Sequence, residues 1–286
     1  MLNADKKFLE NMRNFIYQSR AVACSGLYSA GENSLNTAAL VLSNIENLSF
    51  EEAEKKAKQQ NEAARVQSII IAKMIAEFVG AMEDLSAFCY AVKNRSGKGI
   101  FLKYLLSKGE VGQYAKDLVD NIDKEEDLSN ILNIPRLEDL KKKVSDSLYK
   151  DIEDSYKNLY CVIRTVAEMY RKTNKEENVF KEDGINKDVI YIITDAVSKE
   201  SRNNNNQGIL PRVYNKIKHR FLVFDENFKE FLESIDQDGK ISIDYAIYPR
   251  NPNAVGNMYN NIMAVSKCQC EIVSLLLLLD KNNIEL

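Results

Sequence analysis

The chain has 286 residues, of which 45% are hydrophobic and 28% charged, with a formal net charge of −3 at pH 7. This is the balance of a globular protein that can bury a substantial core, and so small a net charge argues against a general nucleic-acid coat protein while permitting a local basic face. The 11 Gly and 4 Pro provide few breaks, which favours long helices over a β-sandwich or barrel with many turns.

The N-terminal residues predict two amphipathic helices in succession. The first spans residues 5–22, where apolar side chains recur at helical spacing. A shorter helix is predicted over residues 34–45. Residues 25–31 contain Gly and Ser, and they are predicted to break the helix between these two segments.

A long helix is then predicted to begin at Ser49 and to end near Gly97. Ser49 and Glu52 have the spacing of a capping box, which satisfies backbone N–H groups at a helix start. Gly97 suits the turn that follows a helix. The apolar residues of this helix recur at three- and four-residue intervals: Val66, Ile70, Met74, Phe78, Met82, Leu85, Cys89 and Val92.

In the second half of the chain, Pro135 is predicted to open a third long helix that continues to about residue 170. A shorter helix is predicted over residues 187–197. Alternating apolar residues over 241–247 predict one short strand, with residues 221–224 as its candidate partner.

The predicted fold class is all-α: a long-helix bundle with at most one short β-hairpin or strand near residues 220–248, closed by a last helix over residues 254–281. The sequence shows no internal repeat and no Pro- or Gly-rich linker. Residues 1–286 are therefore predicted to form a single helical domain, and a subdivision near residues 110–135 is the alternative.

The cysteines and the apolar runs predict a cytoplasmic protein. There are five Cys, an odd number, and free buried thiols in a reducing compartment are expected. The N-terminal residues are charged from the start, unlike a signal peptide. The most apolar run, residues 272–279, is shorter than the roughly 20 residues of a membrane span. A buried C-terminal helix without membrane association is therefore predicted.

Neither a metal nor a cofactor is predicted. His219 is the only His in the chain, which excludes a zinc site with several His ligands and the Glu-x-x-His pairs of a di-metal helical bundle. Residues 96–99 lack the first Gly and the final Ser or Thr of a phosphate-binding loop. The carboxylates on the long helices are interpreted as solvated or as members of ion pairs: Glu77, Glu83, Asp84, Glu153 and Glu168.

One constellation stands out, on a helix that Pro211 is predicted to begin. At about 100° per residue, one face of this helix is apolar and the opposite face is polar. The polar residues and the two cations that flank them are Arg212, Asn215, Lys216 and His219, with Lys218 and Arg220. Residues 201–224 contain five Lys or Arg and no Asp or Glu.

These residue types suit the metal-independent cleavage of RNA. Arg212 and His219 would lie about 10.5 Å apart along the helix axis, a separation that suits two side chains converging on a phosphodiester. Arg212 would clamp the phosphate and stabilise its charge while the ribose 2′-hydroxyl attacks the phosphorus. His219, with a reference pKa of about 6.5, would act as general acid or base. Asn215 could orient a ribose or phosphate oxygen.

The arrangement resembles the HEPN family (higher eukaryotes and prokaryotes nucleotide-binding). Those domains are all-helical and often dimeric, and many are metal-independent RNases of toxin–antitoxin and phage-defence systems. Their motif is Arg, four to six residues, then His; Arg212 and His219 match it with six residues between them. Val213 and Phe221 depart from the polar residue and the Tyr found in parts of the family. The resemblance implies a homodimer that acts on RNA, with a protein partner or inhibitor.

Two other functions remain open for the same residues. The basic residues could bind RNA or a nucleotide without turnover. Alternatively, the chain is a non-catalytic helical scaffold or regulatory protein-interaction module, and Arg212 and His219 lie on a solvated surface. A cleft that holds both side chains favours catalysis, whereas a flat exposed surface favours the scaffold.

Overall fold

The computed structural model describes residues 1–42, 48–107, 121–123, 127–174, 189–190, 194–195, 242–243, 248–249 and 254–285. Its elements follow in this order: α1 Asn3–Leu42, α2 Phe50–Lys93, α3 Gly99–Leu106, α4 Asp127–Leu132, α5 Leu137–Leu140, α6 Asp146–Asn174, β1 Val189–Ile190, β2 Thr194–Asp195, β3 Ser242–Ile243, β4 Tyr248–Pro249 and α7 Ala254–Lys281. The fold class is all-α, which confirms the prediction.

Among the described residues, four very short strands form two antiparallel pairs. β1 pairs with β4, so that Ile190 lies opposite Tyr248, and β2 pairs with β3, so that Thr194 lies opposite Ile243. β3 falls within the strand predicted over residues 241–247. Its partner is β2, whereas residues 221–224, the candidate partner, lie outside the described residues.

The helix predicted over residues 187–197 is wrong, because β1 lies at residues 189–190 and β2 at residues 194–195. The other residues of this segment lie outside the described part of the chain. Val189, Ile190 and Thr194 are β-branched and restrict side-chain rotation in a helix, whereas they pack well in extended chain. The periodicity of so short an apolar segment does not distinguish the two structures.

Helix α1 continues through residues 25–31, where a break was predicted. Gly26 and Gly31 both lie inside the helix, and neither has a positive φ. Gly31 lies so close to α7 that a Cβ at this position would be 2.7 Å from Val255 Cγ1. The glycine therefore permits a close approach of two helices and does not end α1.

The capping box predicted at the start of α2 is confirmed. The Ser49 backbone N–H donates to Glu52 Oε2 at 2.9 Å, and the Glu52 N–H donates to Ser49 Oγ at 3.4 Å. The hydrogen bond from the Ser49 backbone is the main reason why the pKa of Glu52 lies below its usual value. The predicted apolar stripe is buried from Ile70 to Val92, but Val66 is 40% exposed.

The predicted third helix is interrupted. Helix α5 ends at Leu140, and α6 begins only at Asp146. The Leu148 N–H donates to Ser145 Oγ at 3.4 Å, so Ser145 acts as an N-terminal cap and starts a new helix. Beyond the break, apolar side chains at helical spacing along α6 are buried: Ile152, Tyr156, Leu159, Ile163 and Val166.

The last helix occupies the predicted residues, Ala254–Lys281. Among the described residues it alone is long and apolar enough to cross a membrane, over Val255–Lys281 with a mean hydropathy of 1.8. Of its most apolar stretch, 61% is buried inside the protein, and a core helix that is apolar on most sides shows the same character. The absence of membrane association stays a prediction.

The described elements group into two compact units, each assembled from separate stretches of chain. The first contains Met1–Val22, Gly80–Arg171 and Asn261–Leu286, and the second contains Ala23–Val79 and Lys172–Asn260. The single domain over residues 1–286, and the subdivision near residues 110–135, stay predictions.

In the first unit, the Arg95 guanidinium joins the ends of two helices. Nη1 donates to the carbonyl oxygens of Val92 at 2.6 Å and Leu132 at 3.0 Å, and Nη2 donates to that of Asn133 at 2.6 Å. Carbonyls at a helix C-terminus have no partner within the helix and carry partial negative charge. One planar cation therefore satisfies the C-termini of both α2 and α4.

We expect Arg95→Lys to lower the free energy of unfolding by about 1–2 kcal/mol, because a single ammonium cannot reproduce the fork that reaches both helix ends. Urea denaturation followed by circular dichroism measures the change. Arg136→Lys, at an exposed position three residues after Asn133, is the matched control and should have little effect. Equal stabilities for the two variants would contradict this role of Arg95.

In the second unit, α1 and α2 exchange hydrogen bonds between side chain and backbone. Ser34 Oγ donates to the Ala63 carbonyl at 2.9 Å, and Gln67 Nε2 donates to the Gly31 carbonyl at 2.9 Å. Tyr28 of α1 stacks at a tilt on Tyr259 of α7, with ring centroids 5.3 Å apart. These contacts join α1 to α2 and α7 around Gly31.

Candidate functional site

The predicted site falls outside the described residues. All six of its members lie in the stretch between β2 and β3 for which no structure is described: Arg212, Asn215, Lys216, Lys218, His219 and Arg220. The convergence of Arg212 and His219 on a phosphodiester therefore stays a prediction.

Among the described residues, the most prominent polar cluster joins α1, α2 and α3 in the first unit. Arg20 Nη2 of α1 donates to Asp84 Oδ2 of α2. The Arg20 side chain is only 13% exposed, whereas that of Asp84 is 51% exposed. Desolvation raises the pKa of the Asp84 carboxyl above its usual value, and the neighbouring Arg20 opposes this effect.

Tyr104 of α3 is the third member of this cluster, and its pKa is affected by burial and by the charges of both Asp84 and Arg20. Its ring contacts that of Phe8, with ring centroids 5.6 Å apart. It also packs edge-to-face with the Phe88 ring, with ring centroids 6.3 Å apart. Burial, and then the negative charge of Asp84, raises the pKa of Tyr104 to about 12. The phenol is therefore neutral at neutral pH. The three side chains join helices, and the carboxylate is already engaged by the cation.

The raised pKa of Asp84 predicts a pH effect of defined sign. The folded state binds this proton more tightly than the unfolded state, whose pKa is about 3.9. The contribution of Asp84 to stability is therefore largest below that value and falls as the pH rises through the folded pKa. We therefore compare the unfolding free energy of the wild type with that of Asp84→Asn. The wild-type value minus the variant value should fall as the pH rises from below the unfolded pKa to above the folded pKa. The decrease should be less than about 1 kcal/mol, because the side chain is half exposed.

Urea denaturation at a series of pH values measures this difference. Glu77→Gln, on an exposed part of α2, is the control for removing a carboxylate from the same helix. If the difference instead grew with pH, attraction to Arg20 would outweigh the desolvation of Asp84, and the stated sign would be wrong.

Gly97 and Gly99, which belong to the segment that lacks the full phosphate-binding-loop pattern, lie just before α3 and at its first position. Asp5 of α1 is 4% exposed, and its Oδ1 accepts the Phe101 N–H at 2.9 Å. A helix N-terminus attracts anions because its first N–H groups are unpaired and its dipole is positive there. Asp5 supplies that negative charge from within the chain.

The cysteines form no disulfide. Cys24, Cys89 and Cys268 are buried as expected. Burial raises the pKa of Cys89 to about 12 and that of Cys268 well above its usual value, so both thiols stay protonated and unreactive. Cys161 is exposed, contrary to the prediction. It lies between the buried Leu159 and Ile163, on the other side of α6.

Acidic side chains on the long helices form the expected ion pairs. Lys157 Nζ lies 3.0 Å from Glu153 Oε1, and Arg164 Nε lies 3.1 Å from Glu168 Oε1. Both pairs have the four-residue spacing of one helix face. In the part of the chain that the structure describes, no group of three or more His, Cys, Asp or Glu could hold a metal ion.

The contacts of Arg20 and Asp5 were not predicted from the sequence. Arg20 and Asp84 are 64 positions apart, and Asp5 and Phe101 are 96 apart. The sequence signals were an acidic residue in the first turn of α1 and two glycines, Gly97 just before α3 and Gly99 at its first position. Neither signal identifies a partner at such a distance along the chain.

In comparisons with known proteins, no family model, curated protein or solved structure matches this chain. The resemblance to the HEPN family therefore depends on Arg212, His219 and the all-α class.

Proposed function

We propose that the protein is a metal-independent RNA-cleaving protein of HEPN type that acts in the cytoplasm as a homodimer. The observation that supports this proposal is the spacing of Arg212 and His219, six residues apart in a stretch free of Asp and Glu. The all-α fold is the class in which that motif occurs in the family.

The proposed chemistry uses the substrate's own nucleophile. The ribose 2′-hydroxyl attacks the adjacent phosphorus, and the bond to the 5′-oxygen of the next nucleotide breaks. His219 transfers a proton as general acid or base, and Arg212 stabilises the charge on the phosphoryl oxygens. The products are a 2′,3′-cyclic phosphate and a free 5′-hydroxyl. Asn215, Lys216, Lys218 and Arg220 would hold the RNA backbone.

The test is cleavage of total RNA, and of a defined single-stranded RNA, by the purified protein in EDTA. We expect cleavage by the wild type and a rate about 10²–10⁴-fold lower for His219→Ala, because a positioned acid or base contributes a factor of this size. Lys218→Ala changes a flanking cation and is the matched control. It should weaken RNA binding and leave the turnover rate at saturating RNA unchanged. A substrate with 2′-deoxyribose at the cleaved position should resist cleavage.

Each other outcome has a definite meaning. Cleavage by neither wild type nor variant, across several RNAs, would overturn the nuclease proposal. Equal cleavage by both would show that the activity comes from another site or from a contaminant. Retained RNA binding without any cleavage would favour the nucleotide-binding function.

A second function, a helical scaffold or regulatory protein-interaction module, is favoured by one feature of the described residues. Leu102, Leu105 and Leu106 of α3 are 46%, 57% and 60% exposed, and their spacing places them on one helix face. Contiguous exposed apolar side chains are typical of protein contacts. This function predicts that Leu105→Lys abolishes partner binding, whereas His219→Ala leaves it unchanged.

A further inference from the structure

We draw no further inference here: the strongest candidate, the exposed leucine face of α3 formed by Leu102, Leu105 and Leu106, carries none because nothing in the described residues shows what covers it.

Discussion

Replacing Gly99 by Ala is expected to lower the free energy of unfolding by about 2–4 kcal/mol. Gly99 has a φ of +78°, and a Cβ there would lie 2.7 Å from Asp5 Oδ2, 2.8 Å from Asp5 Oδ1 and 2.9 Å from Leu2 Cδ1. The left-handed backbone alone costs an L-residue about 1–2 kcal/mol. The remainder of the loss comes from crowding, because the Asp5 carboxylate is buried and held by the Phe101 N–H.

Gly97 provides a matched control for the backbone term. Its φ is +80°, but a Cβ there would meet nothing within 4 Å. Gly97→Ala should therefore lower the free energy of unfolding only by the backbone strain, about 1–2 kcal/mol. The difference between the losses of the two variants then measures the crowding against Asp5. Urea denaturation followed by circular dichroism provides both values.

Removing the Asp5 carboxylate tests the same contact from the other side. In an Asp5→Ala background, the loss of unfolding free energy caused by Gly99→Ala should fall toward the loss caused by Gly97→Ala. The two sites are in contact, so their effects are not additive. Equal losses for Gly97→Ala and Gly99→Ala in the wild-type background would contradict the close packing of Asp5 on the start of α3.

Two alanine substitutions within α1 should have opposite effects on stability. Gly to Ala in a helix interior normally gains about 0.5–1 kcal/mol. We expect that gain at Gly26, where a Cβ would meet nothing within 4 Å. At Gly31 a Cβ would lie 2.7 Å and 3.0 Å from the two γ-carbons of Val255 and 3.2 Å from its Cβ.

Gly31→Ala is therefore expected to lower the free energy of unfolding by about 1–2 kcal/mol. Val255 is buried and β-branched, so it has few rotamers with which to move away. Overpacking of this kind costs about 1–3 kcal/mol, which outweighs the gain in helix propensity. Thermal or urea denaturation of both variants gives the two signs.

Shortening the neighbour provides the rescue experiment. In a Val255→Ala background, Gly31→Ala should become close to neutral or stabilising, because the γ-carbons that it crowds are gone. If Gly31→Ala stabilised the wild-type background as much as Gly26→Ala did, α1 and α7 would not be packed together at this point.

The sequence by itself determined those features that depend on residues a few positions apart. The capping box at Ser49 and Glu52 is a three-residue relationship, and the buried stripe of α2 follows the 3.6-residue period of a helix. The bounds of α7, Ala254–Lys281, agree with the last helix predicted over residues 254–281. The same kind of local spacing places Arg212 and His219 on one predicted helix face, and their pairing stays a prediction.

The tertiary structure decided what happens where distant segments meet. Gly31 remains inside α1 because it lies against Val255, although Gly is a helix breaker by local propensity. Arg95 satisfies carbonyls at the ends of both α2 and α4, and Asp5 caps a helix that begins almost a hundred residues later. Hydrogen bonds and close packing depend on distance in space, whereas sequence patterns report only neighbours along one helix or strand. For this reason the sequence alone predicted the all-α class, whereas the partners of Gly31, Arg20, Arg95 and Asp5 required the folded chain.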